Sequence, residues 1–190
     1  MNQDSIPAEH ITDTATFGTG CFWCTEAIFQ QLKGVLKVTS GYSGGTVEHP
    51  DYKLVCTGTT GHAECLQVQY DSSVISYDEL LEVFWQTHDP TTLNRQGNDV
   101  GTQYRSVILY HNPEQLAKAT HYKKALDESG AYSKPIVTTL EPMTVFYPAE
   151  NYHQNYYNLN AAKNGYCAMV ITPKLQKLLQ KGLIEQTPAK

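Results

Sequence analysis

The sequence predicts an α+β fold, a two-layer sandwich with helices packed on one face of a mixed sheet. Three observations carry this. Hydrophobic periods of strand and helix type follow one another in the order β-α-β, β-α, β-α-β. The first six of these elements have the β-α-β-β-α-β order of a ferredoxin-like core. Two long aperiodic stretches, 46–61 and 89–103, feed strands that must lie beside the first one.

Each element has its own signal. Residues 15–20 open on the apolar run Ala15 to Gly18 and read as a strand. A helix over 22–33 follows, with Ile28, Phe29 and Leu32 at helical spacing, and stops at Gly34. Val35 to Tyr42 is a second strand, closed by the turn Ser43-Gly44-Gly45, and 46–61 reads as a loop rich in Gly, Thr, His and Pro. In 62–70, His62, Glu64, Leu66, Val68 and Tyr70 share one strand face, while Ala63, Cys65, Gln67 and Gln69 share the other. Ser76 to His88 is a helix with Ser76 as N-cap and Glu79 at the capping-box position. Its apolar face is Leu80, Leu81, Phe84 and Trp85. Tyr104 to Tyr110 is a strand, apolar on both faces in its second half and hence central. A polar helix runs from Pro113 to Ser129 and ends at Gly130, and Pro135 to Leu140 is a strand. Ala149 to Leu159 reads as a short tyrosine-rich helix. Lys174 to Leu183 reads as an amphipathic terminal helix, broken at Gly182.

Composition bounds the function. The 190 residues, 41% hydrophobic and 17% charged, suit a single domain over 1–190 with a real core. A net charge of -5 without a Lys/Arg cluster argues against nucleic-acid or anionic-membrane surfaces. No apolar run approaches the roughly eighteen residues of a membrane span. Residues 1–10 lack the basic and apolar regions of a secretory leader. Five cysteines, an odd number at irregular spacing, fit redox or catalytic thiols in a reducing compartment, so the cytoplasm is expected. Without a long apolar helix stripe for an obligate interface, a monomer is expected.

The chemistry concentrates in Gly20-Cys21-Phe22-Trp23-Cys24-Thr25-Glu26. Strand, glycine turn and helix place Cys21 at a helix N-terminus, where unpaired N–H groups and partial positive charge favour its thiolate. Two large aromatics follow, as the wall of an apolar pocket would. The alternative is a buried structural cysteine between two core aromatics. Residues in or beside the long loops can converge on this turn. Glu64, on an apolar strand face, is either a desolvated proton donor or an edge glutamate reaching solvent. Tyr52 and Tyr104 are either functional phenols or packing residues. Asp99, in Gly97-Asn98-Asp99-Val100-Gly101, is a catalytic acid or a turn former. His62 either orients a neighbour or is an ordinary core or surface histidine.

Several motifs, in order, then resemble one family. They are Gly20-Cys21-Phe22-Trp23, Gly41-Tyr42-Ser43-Gly44-Gly45, Tyr52, and the run from Cys56 through Gly61-His62-Ala63-Glu64. Phe84-Trp85, His88-Asp89-Pro90, the run from Arg95 to Ser106, and Tyr152-His153-Gln154 continue the series. From about residue 15 to about residue 170 the chain resembles the A-class peptide methionine sulfoxide reductases.

The resemblance implies a catalytic core over that stretch and thiol-dependent reduction of methionine S-sulfoxide, free or protein-bound. It implies that Cys21 attacks the sulfoxide sulfur, that Phe22 and Trp23 receive the S-methyl group, and that Glu64 protonates the oxygen. Tyr52 and Tyr104 would donate hydrogen bonds to that oxygen, and Asp99 would help to organise the site. No bound cofactor or metal is implied; thioredoxin, or dithiothreitol in vitro, supplies the electrons. A second thiol must resolve the Cys21 sulfenic acid. Cys167, in Asn164-Gly165-Tyr166-Cys167, matches a recycling position and is the expected resolver, while Cys24, in place of the commoner glycine, creates a rival Cys21-x-x-Cys24. Cys56 and Cys65 are expected to be structural. Two other classes share features. A thioredoxin-like disulfide reductase also uses CxxC, but with Trp before the first cysteine and Gly-Pro between the two. A zinc module on Cys21, Cys24, His62 and Cys65 would want a second short knuckle.

Overall fold

The sheet is built around β1 (Thr12–Thr19), which pairs antiparallel with β3 (Ala63–Asp71) on one side and β6 (Ser106–Tyr110) on the other. β2 (Val35–Ser43) pairs antiparallel with β3. The four core strands therefore lie in the order β6-β1-β3-β2, the ferredoxin-like arrangement expected. β7 (Thr139–Pro142) extends one edge parallel to β6, and β8 (Phe146–Pro148) extends the other antiparallel to β2. The parallel pair makes this six-stranded sheet mixed. The computed structural model describes residues 11–182. The leader reading of residues 1–10, and Leu183 at the expected end of the last helix, lie outside the described residues. Among the described residues, no helix is long and apolar enough to cross a membrane.

One sheet face meets the helices. Phe17, Leu66, Val68, Tyr70 and Ile108 pack with Ala27, Ile28 and Phe29 of α1 (Phe22–Phe29) and Leu80, Leu81 and Phe84 of α3 (Tyr77–Thr87). α6 (Thr172–Gln180) adds Leu175 and Leu178, while the polar α4 (Pro113–Glu128) adds only Ala119 to the buried core. On the second face, Ala63, Cys65, Val107 and Leu109 are buried beneath Met143 and Phe146. Strand β6 is thus covered on both sides, as its uninterrupted apolar run implies.

Local chemistry accounts for most boundaries. Both halves of the Ser76–Glu79 capping box form, and the Asn112 side chain accepts from the Gln115 N–H at 2.9 Å at the start of α4. Some expectations need correction. α1 ends at Phe29 rather than 33, and the turn leaving it is completed by Gly34 at φ 94°. The 46–61 loop holds α2 (Tyr52–Cys56), whose Asp51 cap accepts from Leu54 N–H at 2.8 Å. The stretch 89–103 holds a hairpin of β4 (Arg95–Gln96) and β5 (Asp99–Val100). A 3₁₀ turn, Thr102–Tyr104, follows, so Tyr104 ends a helical turn instead of opening a strand. Residues 149–159 divide into a 3₁₀ turn, Asn151–His153, and α5 (Tyr156–Asn160), separated by Asn155 at φ 55°. The last helix begins early, because a π turn over Cys167–Ile171 runs directly into α6.

Candidate active site

Gly20 makes the site possible. At φ 107° it turns β1 into α1, and a Cβ there would stand 2.7 Å from Cβ of Gln96 on the adjacent hairpin. Cys21 is then the N-cap residue of α1, half-buried, with no side-chain capping bond that would occupy its thiol. Glu64, paired with Tyr42 across β2 and β3, is 2% exposed and accepts a hydrogen bond from the Phe22 N–H. Burial pushes its carboxyl well above the usual range; the Phe22 N–H opposes this, and the charges of Asp99 and Cys24 add to it. Glu64 is therefore a buried carboxyl against the first turn of α1 whose protonated form is favoured, not an edge glutamate in solvent. Tyr52 opens α2 and Tyr104 closes the 3₁₀ turn. Burial raises both phenols, and both feel the charges of Glu64 and Cys56, so each stays a protonated donor.

The aromatic wall is held from three sides. Phe22 is buried with Tyr42, Val55 and Ala149, its ring 5.1 Å from His153. Trp23 stacks on Tyr156 at 3.8 Å and 7°, and its Nε1–H donates to Nδ1 of His153 at 3.1 Å. Burial lowers the His153 pKa, keeping the ring neutral as that acceptor role requires. Glu150 accepts from the Tyr42 hydroxyl and the Tyr52 N–H, each at 2.8 Å. The buried Glu26 accepts from Tyr156 N–H at 3.0 Å and Ser40 Oγ–H at 3.2 Å, tying this segment to α1 and β2.

A second set of contacts surrounds the thiols. The Cys21 and Cys24 side chains interact directly. Cys24 Sγ lies 3.8 Å from the Tyr166 hydroxyl, which donates to Asp99 Oδ2 at 2.9 Å. Cys21, Cys24, Asp99, Tyr166 and Lys174 line a cavity of about 360 Å³. A larger one, about 560 Å³, lies beside α6 and touches this site only through Gln96 and Lys174, so the thiols mark the chemistry. Burial raises the Cys21 thiol, as do its bond to Cys24 and the charge of Glu64. Within the hydrogen-bonded pair the Cys24 thiol is lowered by its bond to Cys21, with Lys174 and Tyr166 assisting. The expected helix-terminus effect is thus outweighed at Cys21 in the substrate-free protein.

The family model for peptide methionine sulfoxide reductase matches residues 13–187. The chain belongs to the peptide methionine sulfoxide reductase family. It is 55% identical over 171 residues to the MsrA of Leptospira borgpetersenii, covering 90% of this chain and 95% of that one. Against the MsrA of Saccharolobus solfataricus it is 54% identical over 168 residues, covering 88% and 93%. Among solved structures, reduced Mxr1 from Saccharomyces cerevisiae superposes with TM-score 0.76 at 36% identity, covering 82% of this chain and 89% of that one. Methionine sulfoxide reductase A of Corynebacterium diphtheriae gives 0.71 at 36%, covering 80% and 77%. The chain is therefore an MsrA-type oxidoreductase acting on methionine sulfoxide, with the fold of that family.

Within this reductase, Cys21 and Asp99 line one cavity, Phe22 and Trp23 pack with Tyr52, Glu64 accepts from the Phe22 N–H, and Tyr104 lies within electrostatic reach of Glu64, Asp99 and Cys21. Other expectations separate from this group. The His62 Nδ1 accepts from Gly45 N–H at 3.0 Å and its Nε2 donates to the Val47 carbonyl at 2.7 Å, so it pins a turn. Cys65 is buried on the second sheet face, as expected of a structural thiol. Cys56 is exposed and hydrogen-bonded to Tyr52, so the expected burial does not hold for it. The four suggested zinc donors are thereby split between two faces of the sheet. Cys167 is 0% exposed, packed in the helix-side core. Sequence reasoning missed Glu26, Glu150, His153, Tyr156 and Tyr166. The signal for three of them was polar residues and tyrosines crowded into 150–156, a segment read as a helix and, at Tyr152-His153-Gln154, as a family motif without an assigned role.

Proposed function

We propose that this reductase takes the S epimer of methionine sulfoxide, free or in proteins, and reduces it through a Cys21 sulfenic acid. The observation that carries the reading is the meeting of one half-buried thiol, one buried carboxyl whose burial favours its protonated form, and two part-buried phenols at the start of α1. Cys21 attacks the sulfoxide sulfur and passes its proton to Glu64 while Tyr52 and Tyr104 donate to the oxygen. The methionine S–O bond then breaks, the hydroxyl ends on the Cys21 sulfur as the transient S–S bond opens, and the thioether leaves. Glu64 delivers a proton to that oxygen as Cys21 gives up its own, so thiol plus sulfoxide becomes sulfenic acid plus methionine. Phe22 and Trp23 hold the S-methyl group, and Asp99 acts through Tyr166. An intramolecular disulfide with Cys167 or Cys24 follows, and thioredoxin reduces it. A solved complex of yeast Mxr1 with Trx2, TM-score 0.55 at 27% identity, supports that donor. We read the chain as a single catalytic unit, a monomer, in the cytoplasm, where its odd number of thiols stays reduced.

The test is single-turnover methionine release from each sulfoxide epimer. Release from the S epimer alone, abolished by Cys21→Ser, is the expected result. Preference for the R epimer, or substantial release by Cys21→Ser, overturns it.

A further inference from the structure

Two cysteines compete for the step after methionine leaves, and the structure places them unequally. Cys24 shares the first turn of α1 with Cys21: its N–H donates to the Cys21 carbonyl at 3.1 Å, and the two thiols interact directly. Cys167 stands behind Cys24, and it is the charge of Cys24 that the Cys167 thiol feels. It is 0% exposed, grouped in the core with Ile171 and Leu175. Its carbonyl accepts from the Thr172 hydroxyl at 3.0 Å inside the π turn. Cys21 and Cys24 both line the thiol cavity, whereas Cys167 is not among its lining residues. Beside Cys167, Tyr166 and Val170 line the thiol cavity, and the Tyr166 hydroxyl lies between Cys24 Sγ at 3.8 Å and Asp99 Oδ2 at 2.9 Å.

We propose that Cys24, not Cys167, closes the disulfide with Cys21, and that Tyr166, anchored by Asp99, positions the Cys24 sulfur for it. This rests on the sulfenic-acid reading above. In the step, the Cys24 sulfur attacks the Cys21 sulfur, the S–S bond forms, and the S–O bond of the sulfenic acid breaks. The departing hydroxide takes the proton lost by Cys24 and leaves as water; Cys24 is oxidised and the Cys21 sulfur reduced by one electron each. The thiolate is the attacking species. The bond to Cys21 and the nearby Lys174 lower the Cys24 thiol, while burial pushes Cys167 up. The product disulfide lies on the cavity side, where an external dithiol meets Cys21 without opening the core.

The experiment treats wild-type protein, Cys24→Ser and Cys167→Ser with one equivalent of methionine S-sulfoxide without reductant. Dimedone then traps sulfenic acid, and mass spectrometry maps the peptides. In wild type and Cys167→Ser, the peptide carrying both Cys21 and Cys24 is expected two hydrogens lighter and free of dimedone. Cys24→Ser is expected to lose that closure and to carry dimedone on Cys21. A Cys21–Cys167 link in wild type overturns the inference, and so does closure of Cys24→Ser without label. Wild-type mapping decides by itself should a variant fold poorly. Methionine is measured in the same samples: its absence points to failure of the reductase reading, whereas methionine with a Cys21–Cys167 link points to failure of this one. For Tyr166, the readout is the pH profile of closure. Cys21, Cys167, Lys174, Asp99, Glu64 and Tyr166 all act on Cys24. Removing only the hydroxyl, in Tyr166→Phe, is expected to shift the half-maximal pH of closure upward. An unshifted profile leaves Tyr166 a packing residue.

Discussion

The indole N–H of Trp23 donates to Nδ1 of His153 at 3.1 Å, joining residues 130 positions apart. The bond fixes the tautomer: Nδ1 accepts, so Nε2 carries the proton, 3.5 Å from Glu150 Oε2. Tyr156 stacked on the indole removes most of its remaining freedom. One wall of the proposed methyl pocket is therefore oriented from outside α1, by a segment that enters after the sheet is complete.

Removing that partner should cost both stability and substrate binding. His153→Leu leaves the part-buried Trp23 N–H without an acceptor, which costs about 1–3 kcal/mol. For a domain of this size that lowers the midpoint of thermal unfolding by roughly 2–4 °C per kcal/mol. KM for the sulfoxide is expected to rise several-fold with a smaller change in kcat. Thermal melts and steady-state kinetics check both; an unchanged KM would mean that His153 supports the fold alone.

Glu64 is expected to set the alkaline limb of the reduction step. Its carboxyl pKa is raised, so the protonated form prevails at low pH, and single-turnover rates should fall as pH rises through that value. Glu64→Gln should lower the rate by about 10²–10⁴ and abolish that limb, with Glu64→Asp less affected. A Glu64→Gln protein with the wild-type rate and profile would show that the proton comes from elsewhere.

Tyr52 and Tyr104 approach from different elements and should share one task. Each Tyr→Phe change is expected to cost less than about tenfold in single-turnover rate, since the other phenol still holds the oxygen. The double variant should lose more than the product of the two. Simple multiplicativity would show that the phenols act on different atoms.

His88 should give the fold an acid-sensitive term. Its ring nitrogens contact the Phe84 carbonyl at 2.8 Å and Ser106 Oγ at 2.7 Å, and burial pushes its pKa down to about 4. Between the ordinary value of 6.5 and about 4, the unfolded chain binds a proton that the folded protein refuses. Stability is therefore intact above 6.5 and is lost as pH falls through that window. His88→Asn should be less stable at pH 7 but flatter below it. Urea midpoints across the pH range provide the comparison, and a slope equal to wild type would exclude His88 as the cause.

What the sequence determined by itself was whatever local chemistry decides. The capping box at Ser76 and Glu79, the helix end at Gly130, the alternation along β3 and the turn that exposes Cys21 each depend on residues a few positions apart. The order of those elements was enough to place four core strands. Tertiary structure decided the rest. Burial of Glu64 on the helix side and of Cys65 beneath Met143 and Phe146 depends on layers contributed by distant segments. The pairs Trp23–His153 and Asp99–Tyr166 are hydrogen bonds between remote residues, which leave no period in the chain. The charge state of Cys21 is the sharpest case. A helix N-terminus can be read from sequence and favours the thiolate, but burial and the bond to Cys24 raise the same sulfur, and only the packed structure brings them there.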